Sequence, residues 1–384
     1  MKVIVFGAGM MGGALAYDLA QADGLEYVIL ADKDFDRAVK SAKSIGEKVI
    51  PIKVDVDFYN DVFQLMQSCD VAISAVPYSY NLALTKAAIE VGIHFLDLGG
   101  NNDVVKQQLL LDGLARQNEV CVLPNCGLAP GFVNILAIGG AKEFDSVEEI
   151  HLRVGGLPQH PRPPLNYQLV FSAEGLLNEY TEPAEVIRNG NIILVDSMDD
   201  VEEIVFSEPY GTLEAFNASG GVSTLCHQFL GKVRELDYKT IRYKGHCEKF
   251  KMLLDLGFAS NEPIIIGNGV RTARELFADM LRRKLYYGDT DLVLLRAIIT
   301  GIMNGSEKTL QYEMIDLFDE NSKISAMMRT TSFPTSIIAQ MLARGVIKAR
   351  GVMPPEDCVP VDLLITELKK RNINIQKKYI QGVK

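Results

Sequence analysis

The chain has 384 residues, of which 48% are hydrophobic and 23% are charged, and its formal net charge is -10. This length suits two domains of roughly 100–200 residues each, and the composition is typical of a folded chain. The acidic balance, without a cluster of Lys and Arg, argues against nucleic-acid and membrane partners, and no apolar stretch approaches the roughly 20 residues that span a bilayer.

The N-terminus and the cysteines predict a cytoplasmic protein. The chain begins directly with a strand-like run, without the charged region, apolar run and cleavage site of a signal peptide. Its six scattered cysteines do not make the pattern of a disulfide framework, which fits a reducing compartment. We also expect a homodimer, because that is the commonest assembly of soluble enzymes.

The first third of the chain alternates apolar runs with amphipathic stretches, which is typical of a parallel sheet with helical crossovers. The apolar run Lys2–Phe6 indicates a strand buried on both faces. A doubly wound Rossmann sheet is therefore predicted. Its further strands are predicted over 27–31, 49–54, 71–75, 94–96 and 120–123, and its helices include 12–21, 80–91 and 104–117.

A glycine-rich turn, Gly7-Ala-Gly-Met-Met-Gly12, joins the first predicted strand to the first helix. The first glycine permits a tight turn, the second lets the backbone approach a pyrophosphate, and the third allows the helix to pack closely on the strand. The helix N-terminus offers backbone N–H groups to the phosphates. The sequence therefore predicts a dinucleotide site at Gly7, Gly9, Met10, Met11 and Gly12.

An acidic residue at the end of the second strand predicts which dinucleotide binds. Asp32 lies where a carboxylate accepts hydrogen bonds from both ribose hydroxyls and repels a 2′-phosphate. The prediction is therefore NAD as the cofactor, although Lys33 beside it argues weakly for a phosphate.

Later strand ends should also line the cofactor, because ligands bind outside the carboxyl ends of parallel strands. Asp55 is expected to meet the adenine, and Val76-Pro77 and Gly99 are expected to line the site. Asp97 has two open interpretations, one as a loop or helix-cap hydrogen-bond acceptor and the other as a catalytic or cofactor-binding residue.

After Asn125 the pattern changes to long strands. Cys126-Gly-Leu-Ala-Pro-Gly131 interrupts it, and two Asn-Gly dipeptides predict tight hairpin turns. We predict an α+β substrate domain with a mostly antiparallel sheet over 129–330, and a Rossmann domain over 1–128 onto which 331–384 packs back. The elements are a helix over 132–142, strands over 147–154, 186–195, 238–243, 292–303 and 309–316, a helix opened by Pro334 and running through 344, and a helix over 360–370.

Several short segments occur in order through the first two thirds of the chain. They include Ala75-Val-Pro-Tyr78, Phe95-Leu-Asp-Leu-Gly-Gly100, Asn125-Cys-Gly-Leu-Ala-Pro-Gly131, Pro163-Pro-Leu-Asn-Tyr167, Ser219-Gly-Gly-Val-Ser-Thr224 and Thr240-Ile-Arg-Tyr243. Together these segments resemble the saccharopine dehydrogenase family and, within it, the lysine 6-dehydrogenase branch. The resemblance implies NAD-dependent oxidation at the ε-amino carbon of L-lysine. The products would be ammonia and 2-aminoadipate 6-semialdehyde, which cyclises to a piperideine carboxylate.

An amino-acid substrate requires a cation for its carboxylate, and the planar fork of Arg suits that group best. Arg242 is the first candidate for this role. Arg153 is the second, although its place in a predicted strand favours a residue that is exposed to solvent. Tyr167 follows the proline-rich loop 158–164, which is expected to form a rigid lip over the site. Tyr167 itself is either a catalytic residue or packs in the core. Ser223 and Thr224, predicted in the first turn of a helix, either donate to the substrate carboxylate or cap that helix.

The sequence offers two candidates for the residue that accepts the proton of the substrate amine. His246 opens a predicted helix after Gly245 and titrates near neutral pH, whereas Asp97 lies on the cofactor side. The pairs Cys226-His227 and His246-Cys247 lack the ligand spacing of zinc sites, so no metal is predicted. The pair Met327-Met328 is interpreted as packing and loop residues.

Two rival functions remain at this stage. One is a saccharopine-type or carboxynorspermidine-type reductase, which would act on a larger secondary amine with the same machinery. The other is a non-catalytic NAD-binding protein, because a fold does not fix a function. Asp32 argues against the first rival, and the polar set Arg242, Tyr167 and His246 argues against the second.

Overall fold

The computed structural model describes residues 1–266 and 269–381 and divides the chain into two compact units. The first unit contains Met1–Gly139 and Met328–Ile373, and the second contains Gly140–Met327 and Asn374–Lys384. Most of the C-terminal segment 331–384 therefore belongs to the first unit, but its last strand, which was predicted to pack there too, pairs in the sheet of the second unit.

The first unit is built on a parallel sheet whose central strand is buried on both faces, with Val3, Ile4, Val5 and Phe6 each 0% exposed. Numbered in chain order, its strands are β1 (Lys2–Phe6), β2 (Tyr27–Asp32), β3 (Val49–Lys53), β4 (Val71–Ser74), β5 (His94–Asp97), β6 (Cys121–Leu123) and β17 (Gly351–Val352).

The strand order β17-β6-β5-β4-β1-β2-β3 is that of a Rossmann sheet, and its direction of winding reverses between β1 and β4. Ligands of such sheets bind at that reversal, outside the carboxyl ends of the strands. The helices of this unit are α1 (Met10–Ala20), α2 (Phe35–Ile45), α3 (Tyr59–Met66), α4 (Asn81–Val91), α5 (Asn102–Leu109), α6 (Asp112–Gln117), α7 (Val133–Ala141), α12 (Ala326–Ala343) and α13 (Val361–Lys370), of which α7 and α12 each extend two residues past the unit boundary.

The strands of the second unit are β7 (Ser146–Pro158), β8 (Ala184–Arg188), β9 (Asn191–Val195), β10 (Glu202–Val205), β11 (Thr212–Asn217), β12 (Glu235–Arg242), β13 (Pro263–Ile266), β14 (Gly269–Thr272), β15 (Asp291–Met303), β16 (Ser306–Leu317) and β18 (Ile375–Gln381), and its helices are α8 (Ala173–Thr181), α9 (Leu225–Phe229), α10 (His246–Asp255) and α11 (Ala273–Leu285). Its main sheet is mixed and has the order β10-β11-β12-β7-β15-β16-β18, with β8 and β9 attached beside β12. The pairs of this sheet are antiparallel except for β12 with β7, which agrees with the predicted fold class. The strands β13 and β14 pair with each other in a separate two-stranded sheet.

Helix α12 begins earlier than the sequence predicts. Pro334 lies inside it, whereas a proline was expected at its first position. The start is set by Asp291, whose carboxylate accepts hydrogen bonds from the backbone N–H groups of Ala326 at 2.7 Å and Met327 at 2.9 Å. Since this acceptor is remote in sequence, local propensity did not indicate it, and the Met327-Met328 pair is helical, not part of a loop.

None of the described helices combines the length and apolarity that a membrane crossing needs. Within the described residues, no group of three or more His, Cys, Asp and Glu side chains is arranged to hold a metal ion. The six cysteines all lie in the described part of the chain and are free thiols.

Candidate functional site

The turn between β1 and α1 requires glycine at two of its three glycine positions. Gly7 has a φ of +100°, and a Cβ there would lie 2.6 Å from the carbonyl oxygen of Ala75. A Cβ on Gly12 would lie 1.7 Å from the carbonyl oxygen of Gly7, so the helix and the turn are packed backbone against backbone. These are the tight turn and the close packing that the sequence predicted.

Gly9 is different, because a Cβ at this position would meet nothing within 4 Å. It is the N-cap of α1 and offers no side chain to the N–H groups of the first turn, to which Met10 and Met11 belong. Open space beside an uncapped helix N-terminus is what a pyrophosphate requires. The residues present therefore fit a dinucleotide, with the glycine turn and the first turn of α1 as its phosphate cradle.

Asp32 ends β2 next to this cradle and is 8% exposed. One carboxylate oxygen accepts a hydrogen bond from the backbone N–H of Ala8 at 2.7 Å, and the other accepts one from Asp34 at 2.9 Å. Arg37, on α2, lies 3.7 Å from the same carboxylate. The sequence indicated Lys33 as the local cation. Arg37 was not predicted, although its place in the first turn of the next helix could have indicated it.

The other predicted cofactor residues follow the ends of β3, β4 and β5. Asp55 closes a turn after β3 by accepting a hydrogen bond from the backbone N–H of Asp57 at 3.2 Å. A Cβ placed on Gly7 would lie 3.2 Å from the Val76 side chain, and Pro77 precedes the short 3-10 turn Tyr78–Tyr80. At Gly99, φ is +80° and a Cβ would lie 2.3 Å from the Asn125 side chain, so a larger residue is excluded there.

Asp97 ends β5 and is fully buried. Its carboxylate accepts hydrogen bonds from the backbone N–H groups of Gly99 at 2.7 Å and Asn125 at 3.0 Å, and from the side chain of Gln108 at 2.7 Å. Burial raises the pKa of Asp97, and these hydrogen bonds oppose the rise. The structure thus favours the loop-anchoring interpretation of Asp97, and its catalytic alternative does not fit so enclosed a carboxylate.

In the second unit, β12 carries Arg242 into the interior, where the residue is 2% exposed. Its Nε donates to the Tyr180 hydroxyl at 2.7 Å. Its Nη1 donates to the Thr240 hydroxyl at 2.7 Å and to the Ile241 carbonyl at 2.8 Å. These hydrogen bonds hold the guanidinium in one orientation.

Tyr180 connects Arg242 to His246. The His246 Nδ1 lies 2.9 Å from the Leu165 carbonyl and must donate to it, so Nε2 accepts the hydrogen bond of the Tyr180 hydroxyl at 3.1 Å. Burial and the positive charge of Arg242 lower the pKa of His246 to about 3. His246 is therefore a neutral ring with both nitrogens engaged, and the general-base role predicted for it does not fit this geometry.

Tyr167 lies against the same guanidinium. Its ring centroid is 4.9 Å from the Arg242 Cζ, a cation–π contact, and 5.2 Å from the His246 ring. The residue is 0% exposed, as core packing requires, yet its buried hydroxyl has no hydrogen-bond partner among the described residues. Burial raises the pKa of Tyr167, so the hydroxyl keeps its proton and can donate it in a hydrogen bond.

Glu179, on α8, is a residue that the sequence analysis missed. Its Oε2 lies 3.6 Å from the Arg242 Nη2, and its side chain is 16% exposed. Burial raises the pKa of Glu179, while the charge of Arg242 and a hydrogen bond from Thr240 lower it. No local signal singles it out, because a glutamate in an amphipathic helix is ordinarily a solvated residue.

Ser223 and Thr224 were predicted to lie in the first turn of a helix. In the structure both residues precede that helix, α9, which begins at Leu225. The φ of Ser223 is +43°, outside the range of a right-handed helix, so the helix cannot begin before it. Thr224 takes the N-cap position of this five-residue helix but makes no side-chain capping hydrogen bond. Their substrate-binding role stays a prediction.

Arg153, the second arginine candidate, is 5% exposed, so its interpretation as a solvated residue is wrong. Its guanidinium donates to Glu202 at 2.5 Å and to Asp237 at 2.7 Å, and Asp237 also accepts from Arg188 at 2.8 Å. Burial alone would raise the pKa of Asp237, but hydrogen bonds and charge from His151 and Arg153 hold it below its usual range. The side chains of Arg153, Arg188, Glu202 and Asp237 line a cavity of about 550 Å³. Their charges pair with one another, which indicates a structural network.

Family models match nearly the whole chain. Residues 3–123 match the saccharopine dehydrogenase NADP binding domain, and residues 127–373 match the saccharopine dehydrogenase C-terminal domain.

The similar proteins include alpha-aminoadipic semialdehyde synthases and saccharopine dehydrogenases. The mouse (Mus musculus) mitochondrial alpha-aminoadipic semialdehyde synthase is 24% identical over 428 residues, which cover 92% of this chain and 45% of that protein, so the chain spans less than half of its length. The saccharopine dehydrogenase (NADP(+), L-glutamate-forming) of Saccharomyces cerevisiae is 22% identical over 463 residues, which cover 99% of both chains. The solved structure of apo saccharopine dehydrogenase (L-Glu forming) from Saccharomyces cerevisiae shares this fold, with a TM-score of 0.80 at 20% identity over 99% of both chains.

Proposed function

The chain belongs to the saccharopine dehydrogenase family, and we propose that it catalyses the NAD-dependent oxidative deamination of the ε-amino group of L-lysine. The products are NADH, ammonia and 2-aminoadipate 6-semialdehyde, which cyclises to piperideine-6-carboxylate. The assignment to lysine rests on the resemblance of Phe95-Leu-Asp-Leu-Gly-Gly100 and Ser219-Gly-Gly-Val-Ser-Thr224 to the lysine 6-dehydrogenase branch.

The observation that carries the proposal is the buried guanidinium of Arg242. An arginine removed from water and fixed by hydrogen bonds is a strong partner for a carboxylate, because charge-assisted hydrogen bonds gain strength in a low dielectric. The α-carboxylate of lysine is such a group. Tyr167 supports the same interpretation, since its protonated hydroxyl is buried without a partner among the described residues.

The cofactor preference rests on Asp32. The matching domain model and the yeast relative carry NADP in their names, whereas this chain has a carboxylate at the end of β2, where a 2′-phosphate would be repelled. Asp32 is held in place by the backbone of the glycine turn, so it cannot easily turn away from the ribose. Arg37 beside it argues in the other direction, because its exposed guanidinium can reach a phosphate.

When bound, the nicotinamide supplies the acceptor for the hydride that leaves the ε-carbon, and water hydrolyses the substrate iminium to the aldehyde and ammonium. The chain's own residues must hold the substrate and let its ε-ammonium lose a proton. Neither Asp97 nor His246 is placed to accept that proton, because each is enclosed and fully hydrogen-bonded. Near pH 10, a large share of lysine already carries a neutral ε-amine, since the pKa of that group is about 10.4.

A spectrophotometric screen at about pH 10 tests the proposal. Purified protein is mixed with NAD or NADP and with L-lysine, L-ornithine or saccharopine, and the absorbance of the reduced cofactor is followed. We expect turnover with L-lysine and NAD, and little with L-ornithine. If only saccharopine is turned over, the protein is a saccharopine dehydrogenase and the proposal is wrong. Tight NAD binding without turnover of any substrate would favour a non-catalytic protein.

A saccharopine dehydrogenase is the second candidate. The similarity to the yeast enzyme over 99% of both chains favours it. It would use the same carboxylate partner, Arg242, for a substrate that carries additional carboxylates. The screen separates the two candidates because saccharopine is among its substrates.

The homodimer and the cytoplasmic location expected from the sequence stay proposals. The location is supported by the six free cysteines, which are typical of a reducing compartment.

A further inference from the structure

Glu179 has no role in the proposed reaction so far, yet it lies beside the cation that the substrate requires. It occupies the last third of α8, directly before Tyr180, which donates to His246 and accepts from Arg242. The backbone carbonyl of Glu179 also accepts a hydrogen bond from the N–H of Ser219 at 2.9 Å. Helix α8 therefore holds Glu179 in register with the Arg242 guanidinium.

The ion pair between these two residues is incomplete. The separation of 3.6 Å between the Arg242 Nη2 and the Glu179 Oε2 exceeds the distance of a normal hydrogen bond. The Arg242 Nε and Nη1, by contrast, make hydrogen bonds of 2.7–2.8 Å. Among the described residues, Nη2 is thus left able to donate to a carboxylate that enters from outside, and such a ligand would not have to break a short ion pair.

A second, independent observation points to a missing ligand. The Tyr167 hydroxyl is buried and unpaired within the described part of the chain, although the ring lies over the same guanidinium at 4.9 Å. Buried tyrosine hydroxyls normally have a hydrogen-bond partner, because leaving one unpaired costs free energy. A polar ligand held by Arg242 and Glu179 would supply that partner.

The exposures of the two charged side chains indicate how the ligand is oriented. The Arg242 side chain is 3% exposed and the Glu179 side chain is 16% exposed, so the carboxylate of Glu179 is nearer to water. An α-amino acid carries its ammonium and carboxylate groups on one carbon, so it requires an anion and a cation that are neighbours. Arg242 and Glu179 are such a pair, and a dicarboxylate without an ammonium would be repelled by Glu179.

We propose that Glu179 binds the α-ammonium group of an amino-acid substrate while Arg242 binds its α-carboxylate. The pair then acts as a receptor for the α-amino-acid head group and determines specificity for it. This inference rests on the proposed function in taking the substrate to be an amino acid, but not in which amino acid it is. A purely structural ion pair is the alternative.

Calorimetric titration of the full chain with NADH present tests the assignment through binding, without relying on turnover. The probes are two matched pairs, L-lysine with 6-aminohexanoate and L-glutamate with glutarate, in which the second member lacks the α-ammonium group. The variants are Glu179→Gln, which keeps the size and removes the charge, and Glu179→Asp, which keeps the charge. Glu174→Gln is the control, because Glu174 lies on the same helix, is 56% exposed and pairs with Arg282.

In at least one of the two pairs, we expect the wild type to bind the amino acid about tenfold or more tightly than the compound that lacks the α-ammonium group, as a charge-assisted hydrogen bond implies. Glu179→Gln should bring this affinity ratio near one, because it weakens the binding of the amino acid and not that of the compound without the ammonium group. Glu179→Asp should restore part of the ratio. Glu174→Gln should leave the ratio unchanged. A ratio that Glu179→Gln preserves, or a wild type that prefers neither amino acid, would overturn the assignment. A ratio that depends on Glu179, in a protein that does not oxidise lysine, would instead refute the proposed function alone.

Discussion

The two units build their polar sites in opposite ways. In the first unit the phosphate cradle is made of backbone, from six consecutive residues that run from the end of β1 into the first turn of α1, and Gly7, Gly9 and Gly12 place no side chains there. In the second unit the polar site around Arg242 is made of side chains that meet only in the folded chain. They come from a loop (Tyr167), from helix α8 (Glu179 and Tyr180), from strand β12 (Arg242) and from helix α10 (His246). The first site depends on residues that are neighbours along the chain, whereas the second depends on residues that are remote from one another along it.

The sharpest test of the backbone site compares two glycines of one turn. In Gly12→Ala the new Cβ would lie 1.7 Å from a backbone oxygen, so we expect the apo protein to lose about 3 kcal/mol or more of stability. In Gly9→Ala the Cβ meets nothing within 4 Å, so stability should fall only by the cost of replacing Gly with Ala at an N-cap, about 1 kcal/mol. Thermal unfolding of the apo variants measures this difference.

NADH fluorescence titration completes that comparison. Gly9→Ala should weaken NADH binding about tenfold or more, because the added methyl group occupies the space beside the helix N-terminus where the pyrophosphate would lie. Gly13→Ala is the control, since a Cβ there makes an ordinary contact of 3.9 Å with Ser41 and alanine suits a helix interior. Unchanged NADH binding in Gly9→Ala would remove the turn from the cofactor site.

The distributed site should reveal itself through pH. The unfolded chain protonates His246 near pH 6.5, whereas in the folded chain burial and Arg242 lower its pKa to about 3. Between these values the unfolded state binds a proton that the folded state does not, so the free energy of unfolding decreases as the pH falls. At pH 5 this one residue should cost about 2 kcal/mol relative to pH 8.

Urea unfolding of wild type and His246→Gln at pH 8 and pH 5 measures that contribution. The variant should lose less stability than the wild type between the two pH values. His160→Gln is the control, because the His160 side chain is 73% exposed. Parallel losses in the wild type and His246→Gln would show that His246 is not held neutral.

Asp32 combines features of both sites, because it is a single side chain that the backbone of the glycine turn holds in place. Asp32→Asn tests its role. Removing the charge should reduce the preference for NAD over NADP about tenfold, or 1.4 kcal/mol, because the repulsion of a 2′-phosphate disappears. Dissociation constants for NADH and NADPH measure the ratio, with the exposed Asp36→Asn as the control. A wild type that already favours NADPH would show that Arg37 outweighs Asp32.

The same contrast explains how far the sequence could predict the molecule. The glycine turn, Asp32 and the strands β1 to β6 follow local rules of turn geometry and burial, and the prediction located them within a residue or two. The two-residue strand β17 was not predicted, because so short a strand carries no periodic pattern. The hairpin of β15 and β16 was equally accessible, because Asn304-Gly305 specifies its turn. The comparisons confirm the fold class and the family resemblance.

What the sequence missed depends on partners remote along the chain. Asp291 fixes the start of α12, and no pattern around Pro334 contains that information. The enclosure of Asp97 and His246 depends on Gln108, Leu165 and Tyr180, so both residues looked available as proton acceptors when taken alone. Glu179 was overlooked for the same reason, since only its distance from Arg242 distinguishes it from a surface residue.

The path of the chain between the units has a consequence for synthesis. The sheet of the first unit is completed when β17 pairs with β6, but the whole segment Gly140–Met327 is translated between these strands. At about 5–20 residues per second, the ribosome needs roughly 10–40 s for that segment. Throughout this time the edge of β6 has no partner strand on that side, and unpaired strand edges promote aggregation. The yield of correctly folded protein in the cell therefore depends on how well that nascent edge is protected.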